Sequence, residues 1–282
     1  MNAAEGLADE DFKVEAVVAD VTNEQAIVDL VAEHKRQWGR MDCLVNNAGV
    51  GIGLAIARRL CQSGYAVTIS GRQEEKLMNA AEGLADEDFK VEAVVADVTN
   101  EQAIVDLVAE HKRQWGRMDC LVNNAGVGIG QSLDSITSKH FDLQIGINLR
   151  AIVIATRESV EMLKAAGEEH GKGLIVNMAS VAGHQSPAWL SVYGATKAAV
   201  SSFSRSSQKE LAAHGVQVTA LSPGFVATDM TEFAQQQVPA DQMMTTDDIA
   251  EAVSFLLSTS VNCAVPEIVL QRLGSGPDSG GM

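Results

Sequence analysis

Residues 1–53 recur without a mismatch as residues 78–130, an offset of 77. No other feature limits the fold as strongly. Whatever strands and helices one copy encodes, the other encodes as well, so a single sheet must seat both or leave one out. A solenoid needs three or more units and tolerates divergence between them. Here two perfect copies are followed by a remainder unlike either, which points to a duplication, a fusion or an assembly event in the coding sequence. The copy starting at Met78 runs on into everything that follows and has the better claim to the fold. Residues 1–40 read as an extra strand and helix with no evident slot.

The pattern from Met78 onward is strand, helix, strand, turn. Val91 to Val95 reads as a strand ending at Asp97. Thr99 to Gln102 reads as a capping box with Thr99 as N-cap. Ile104, Leu107, Val108 and His111 follow at helical spacing, and Cys120-Leu121-Val122 is a buried-type strand closed by Asn123-Asn124-Ala125-Gly126. The end of the first copy starts a second such unit. Cys43-Leu44-Val45 leads through Gly49-Val50-Gly51-Ile52-Gly53 into an amphipathic helix at 54–60 and a strand at 66–70. A glycine-rich turn that opens a helix after a strand presents backbone N–H groups and the helix dipole to a dinucleotide pyrophosphate. Gly51, Ile52 and Gly53 are the candidates for that contact.

The remainder alternates in the same way: a helical stretch at 134–165 containing Asn148, a strand at 174–178, a long helix at 191–213 and a strand at 216–221. A polar, Met/Gln-rich stretch at 225–243 reads as a mobile loop, followed by a helix at 247–257 and a strand at 266–270. Alternation without an independent second core predicts an α/β fold: one Rossmann-type, doubly wound parallel sheet with helices on both faces, over residues 41–273. Residues 274–282 read as a flexible tail. At 282 residues and 46% hydrophobic content, the chain has enough apolar material for that core.

A net charge of −16 argues against nucleic-acid and anionic-membrane surfaces, although ten acidic and four basic residues of the first copy supply part of it. The sequence has no signal-peptide pattern and no apolar run of about 18 residues. Cys43, Cys61, Cys120 and Cys263 lack metal-ligand spacing. A reduced, cytoplasmic protein that binds no metal is the expectation.

Ser180 follows the strand at 174–178, where open α/β sheets place their chemistry. Tyr193 and Lys197 are four apart and share one helix face. Singly, each has an ordinary reading: a loop serine, a half-buried tyrosine, a solvated lysine. Together, a hydroxyl, a phenol and an ammonium bind a carbonyl oxygen and exchange a proton with it. His184, Trp189 and Met230 fall in the same region and read equally well as loop or lid packing.

These residues, in order, resemble the short-chain dehydrogenase/reductase family over about 42–270. Asp97-Val98, Asn123-Asn124-Ala125-Gly126, Asn148, Ser180, Tyr193, Lys197, Pro223-Gly224 and Thr228 carry the resemblance. It implies that Ser180 holds the substrate oxygen and Tyr193 exchanges the proton. Lys197 binds the nicotinamide ribose and stabilises tyrosinate, and Asn148 anchors a water in a proton relay. Asn124, Ala125 and Gly126 contact the cofactor, Asp97 and Val98 flank its adenine, and Val226 and Thr228 lie near its nicotinamide. The implied activity interconverts a ketone or aldehyde with an alcohol by hydride transfer. The implied assembly is a homo-oligomer, dimer or tetramer, formed through the helices at 148–165 and 191–213.

Cofactor choice is read at the end of the second strand, where an acidic residue would bond the ribose 2′-hydroxyl of NAD. The chain has Ser70-Gly71-Arg72 instead, and a guanidinium suits a 2′-phosphate, so NADP(H) is expected. One departure stands out. The family motif Thr-Gly-x-x-x-Gly-Ile-Gly aligns with Asn46-Asn47-Ala48-Gly49-Val50-Gly51-Ile52-Gly53. Asparagine tolerates a left-handed backbone, which preserves the turn, but a side chain at Asn47 stands where the cofactor approaches closely. Two readings therefore stay open: an active oxidoreductase, or a non-catalytic Rossmann-like binding or scaffold protein with an impaired cofactor loop.

Overall fold

Near-continuous apolar runs such as Cys43-Leu44-Val45 and Leu174-Ile175-Val176 belong to strands covered on both faces. The computed structural model describes residues 41–236 and 238–274, and these runs are inner strands of a seven-stranded parallel sheet. The strands are β1 (Asp42–Asn46), β2 (Ala66–Gly71), β3 (Val91–Val95), β4 (Cys120–Asn123), β5 (Gly173–Met178), β6 (Val216–Pro223) and β7 (Glu267–Leu270). Their order is β3-β2-β1-β4-β5-β6-β7. Equivalent residues of the repeat lie side by side in these two strands: Cys43, Leu44, Val45 and Asn46 of β1 pair in register with Cys120, Leu121, Val122 and Asn123 of β4. The expected strand and helix of residues 1–40, and the tail at 275–282, lie outside the described residues.

The period-2 alternation of the strands separates two layers. Cys43, Val45, Cys120 and Val122 face Ile56 and Leu60 of α1 (Gly51–Gln62), Leu77 and Leu84 of α2 (Glu74–Ala85), and Ile249 and Val253 of α8 (Thr246–Ser258). Leu44, Leu121 and Ile175 face Ile104 and Leu107 of α3 (Glu101–Trp115) and Ile154 and Leu163 of α5 (Ala151–His170). On that second face α7 (Ser191–Leu211) adds Val200 against Ala220. A sheet covered on both faces by helices is the doubly wound arrangement expected. Among the described residues no helix is long and apolar enough to cross a membrane, and the four cysteines are unpaired.

Three local expectations are refined. The helical stretch read at 134–165 begins at Ser138 and runs on to His170, with a π-helical turn inside it. Thr137 caps its first part, α4 (Ser138–Ile145), by accepting from the His140 N–H at 3.2 Å. A π-helical turn at Gly146–Arg150 then links α4 to α5 and buries Asn148. At α3 the N-cap is Asn100, whose Oδ1 accepts from the Gln102 N–H at 2.9 Å. Thr99 turns back instead, its N–H and hydroxyl both donating to Asp97 Oδ1. The stretch at 225–243 contains 3₁₀ turns at Asp229–Ala234 and Ala240–Gln242, with Val226 bridged to Met244.

Candidate active site

The strand order reverses direction between β1 and β4, and in open α/β sheets the crevice at such a switch point receives the ligand. The turn after β1 and the turn after β4 meet there. Asn46 is 5% exposed and joins them: its Oδ1 accepts from the N–H groups of Asn124 and Ala125, both at 2.8 Å. Its Nδ2 donates to Asn123 Oδ1 at 2.8 Å, Asn123 Nδ2 donates to Asn177 Oδ1 at 2.8 Å, and Asn177 Nδ2 donates to Ser204 Oγ at 3.0 Å. A ladder of buried carboxamides thus crosses β1, β4 and β5 and ends on α7.

Asn47 adopts φ +56°, the left-handed conformation that glycine takes at little cost and asparagine tolerates. Its carbonyl accepts from Asn124 Nδ2 at 2.9 Å. Gly53 sits so tightly behind the turn that a Cβ there would stand 2.4 Å from the Asn47 carbonyl oxygen. Gly51, at φ +61°, opens α1, whose N-cap Val50 offers no side-chain acceptor to the first-turn N–H groups. The turn therefore closes with asparagine at both departing positions.

At the other end of the crevice Ser180 follows β5; its Oγ accepts from the Ala182 N–H at 3.2 Å and donates to the Pro223 carbonyl at 3.4 Å. Tyr193 and Lys197 project from one face of α7, with Nζ 5.7 Å from the ring centroid. Lys197 Nζ donates to the Met178 carbonyl at 2.7 Å. The loop after β4 passes directly in front of both: a Cβ on Gly126 would stand 3.4 Å from Lys197 Nζ, and one on Gly128 3.6 Å from the Tyr193 ring. Sequence reading missed Gly128, whose only local signal was its place in the glycine-rich run continuing the Asn123–Gly126 turn.

Asn148 lies behind this wall, fully buried. Its Oδ1 accepts from the Val127 N–H at 2.8 Å, and its Nδ2 donates to the Val127 carbonyl at 2.9 Å and to Thr196 Oγ1 at 3.0 Å. Both amide hydrogens are taken, so the carboxamide ties the β4 loop to α7.

A cleft of about 1080 Å³ connects the two ends. Asn47, Gly51, Ile52, Asn124 and Gly126 line one part; Ser180, Tyr193 and Lys197 line the middle; Val226 and Thr228 close over it. Gly53 and Ala125 are buried behind the turn. Arg72, Asp97 and Val98 are not among the residues lining the cleft. They follow β2 and β3, with the Asp97 carboxylate held by Thr99 and Val98 packed against the second core layer. Arg72 is exposed and makes no ion pair among the described residues.

Burial pushes the Tyr193 phenol above its ordinary value, with a hydrogen bond to Ser180 opposing. Burial pulls the Lys197 ammonium down to about 8. Between this value and the ordinary one near 10.5, the unfolded chain binds more protons than the folded one, so stability rises with pH across that window. Below it the buried charge costs about 3 kcal/mol. Lys197→Met removes that cost together with the hydrogen bond to the Met178 carbonyl, so the variant's melting temperature relative to wild type is expected to fall as the pH rises from 7 to about 10.5. Thermal unfolding measured between pH 7 and 10.5 checks this.

The short chain dehydrogenase family model matches residues 1–50 and 50–239. This chain belongs to the short-chain dehydrogenase family. An uncharacterized oxidoreductase of Staphylococcus aureus strain MW2 is 33% identical over 229 residues, covering 81% of this chain and 95% of the relative. Among solved structures of similar fold, an actinorhodin polyketide ketoreductase with NADPH aligns with TM-score 0.75 at 29% identity, covering 82% of this chain and 95% of that one. A 3-ketoacyl-(acyl-carrier-protein) reductase from Brucella melitensis complexed with NADH aligns with TM-score 0.75 at 28% identity, covering 82% and 96%. A metagenomic short-chain oxidoreductase in complex with NADP aligns with TM-score 0.72 at 28% identity, covering 83% and 98%. The family membership and these neighbours make the chain an oxidoreductase of a nicotinamide-binding class.

Proposed function

We propose that this short-chain dehydrogenase interconverts a ketone or aldehyde and an alcohol, with NADP(H) as cofactor. The observation that carries the reading is the convergence of Ser180, Tyr193 and Lys197 in one cleft that continues to the glycine turn. The turn fits a dinucleotide: Gly51 holds a positive φ at the mouth of α1, no side chain caps that helix, and Asn124 and Gly126 line the adjoining wall. Gly51 and Ile52 would hold the pyrophosphate, Lys197 the nicotinamide ribose, and Arg72 the 2′-phosphate. When bound, the nicotinamide supplies or accepts the hydride.

The chain's own groups handle the oxygen and the proton. Ser180 Oγ is placed to donate to the carbonyl oxygen, and the Tyr193 phenol to protonate it as negative charge accumulates there. The phenol is protonated near neutrality, and burial favours that form further, so it is ready to act as an acid. The Lys197 ammonium favours the phenolate left behind, easing return of the proton. Leu190, Pro187, Phe225, Met230 and Phe233 make the outer end of the cleft largely apolar, which suits an apolar substituent on the carbonyl. The ketoreductase neighbours support the reductive direction. Assembly as a homo-oligomer through α5 and α7 belongs to the same reading.

The missing acid beside Arg72 supports NADP(H), while the neighbours hold NADPH, NADP and NADH. Fluorescence titration is expected to give NADPH a Kd about tenfold below that of NADH. Arg72→Ala is expected to weaken NADPH about tenfold, in line with loss of one charge-assisted hydrogen bond, and to leave NADH unchanged. Equal affinities in the wild-type protein would refute the assignment.

A further inference from the structure

The last strand carries a carboxylate that the proton transfer does not use. Glu267 opens β7 with its side chain 16% exposed. Its Oε1 accepts from Ser222 Oγ of β6 at 2.6 Å and from Ser201 Oγ of α7 at 2.9 Å. The same oxygen lies 2.7 Å from Nε2 of His184, on the short helix α6 (Ala182–Gln185). Its Oε2 lies 3.4 Å from the Arg205 guanidinium, also on α7. Burial works to raise this carboxyl, but hydrogen bonds from Ser222, Ser201 and His184 hold it below its ordinary value.

Each partner sits one step from a reacting group. Ser201 lies one turn beyond Lys197 on α7, as Lys197 lies one turn beyond Tyr193. Ser222 precedes Pro223, whose carbonyl accepts from Ser180 Oγ and from the Val181 N–H. His184 sits on a helix with almost no clearance from α7. A Cβ on Gly183 would stand 2.7 Å from the Ala198 nitrogen and 2.8 Å from the Lys197 carbonyl carbon. A Cβ on Gly194 would stand 2.9 Å from the Ala182 carbonyl oxygen. Contacts this close transmit any movement of α6 to the backbone of Lys197.

We propose that Glu267 is a positioning residue. Its carboxylate clamps α6 and β6 against α7 and thereby fixes Ser180, Tyr193 and Lys197 relative to one another. The catalytic consequence rests on the carbonyl-reductase reading; the clamp itself is a property of the folded chain. Misplacement of a reacting group by a fraction of an ångström is costly in rate and cheap in binding.

Two variants of the full-length protein test this: Glu267→Gln, which keeps size and one acceptor but removes the charge, and Ser201→Ala, which deletes one donor. Hydrogen exchange without ligand is expected to speed up about threefold or more over residues 180–201 in both variants, with β1 to β4 unchanged. With a carbonyl substrate, kcat is expected to fall about tenfold in Glu267→Gln while KM stays within about twofold. The midpoint of the kcat–pH profile is expected to move as the Lys197 ammonium shifts against the Tyr193 phenol. Unchanged exchange at 180–201 overturns the clamp, whether or not the wild-type protein turns over any carbonyl. A lower melting temperature with unchanged kcat and pH midpoint also overturns it, since edge-strand stabilisation alone gives that result. A wild-type protein inactive on every carbonyl refutes the functional reading and leaves the exchange result to decide the clamp. Should Glu267→Gln fail to fold, Ser201→Ala carries the decision.

Discussion

Tyr193→Phe is expected to lower kcat for carbonyl reduction about 10³-fold while leaving the Kd for NADPH unchanged. The substitution removes one hydroxyl and keeps the ring, which packs in front of Gly128. General acid catalysis contributes about 10²- to 10⁴-fold. The Ser180 hydroxyl can hydrogen-bond the substrate oxygen but is a far weaker acid than a phenol, and Lys197 Nζ donates to the Met178 carbonyl. Steady-state kinetics with a panel of ketones and aldehydes, paired with a dinucleotide titration, separates the chemical role from a binding one. A loss smaller than tenfold removes Tyr193 from the reaction.

The second large effect is expected at Asn46, through stability. Asn46→Leu is close in volume but deprives the Asn124 and Ala125 N–H groups of their acceptor and Asn123 Oδ1 of its donor. The site is 5% exposed, so water does not fully replace the lost partners. At about 1–3 kcal/mol for each unsatisfied group, the expected loss is about 4 kcal/mol, or about 10 °C in melting temperature for a domain of this size. Asn46→Thr keeps one acceptor and is expected to lose about half as much. Because the same carboxamide registers the β1 turn against the β4 turn, NADPH binding is expected to weaken in parallel. A melting temperature within about 2 °C of wild type for Asn46→Leu would show that the ladder is dispensable.

These two residues illustrate what was legible at each level. The spacing of four puts Tyr193 and Lys197 on one helix face and an apolar run puts Ser180 after a strand, because those periodicities are local; only the ordered set of motifs around them raised the three above ordinary readings. Asn46 and Asn47 appeared in the sequence only as departures from a family motif. Asn46 becomes a structural joint because β1 pairs with β4, bringing it beside a residue 77 positions away. The capping error at Thr99 has a similar origin on a smaller scale. A capping-box pattern fits more than one register, and the Asp97 carboxylate decides it by taking the Thr99 hydroxyl. The helix read at 134–165 starts four residues later because Thr137 caps it, and its π-turn holds Asn148 buried against Val127 and Thr196.

By itself the sequence determined the alternation of strands and helices and the doubly wound class, which follow from local hydrophobic period, and the family, which follows from short motifs. Only the tertiary structure decided that the strands at 42–46 and 120–123 pair with each other, that Gly128 faces Tyr193, and that Glu267 meets side chains of α6, α7 and β6. Those outcomes depend on pairings between residues far apart in the chain. Their energy comes from backbone register and buried polar contacts that exist only once the sheet has closed.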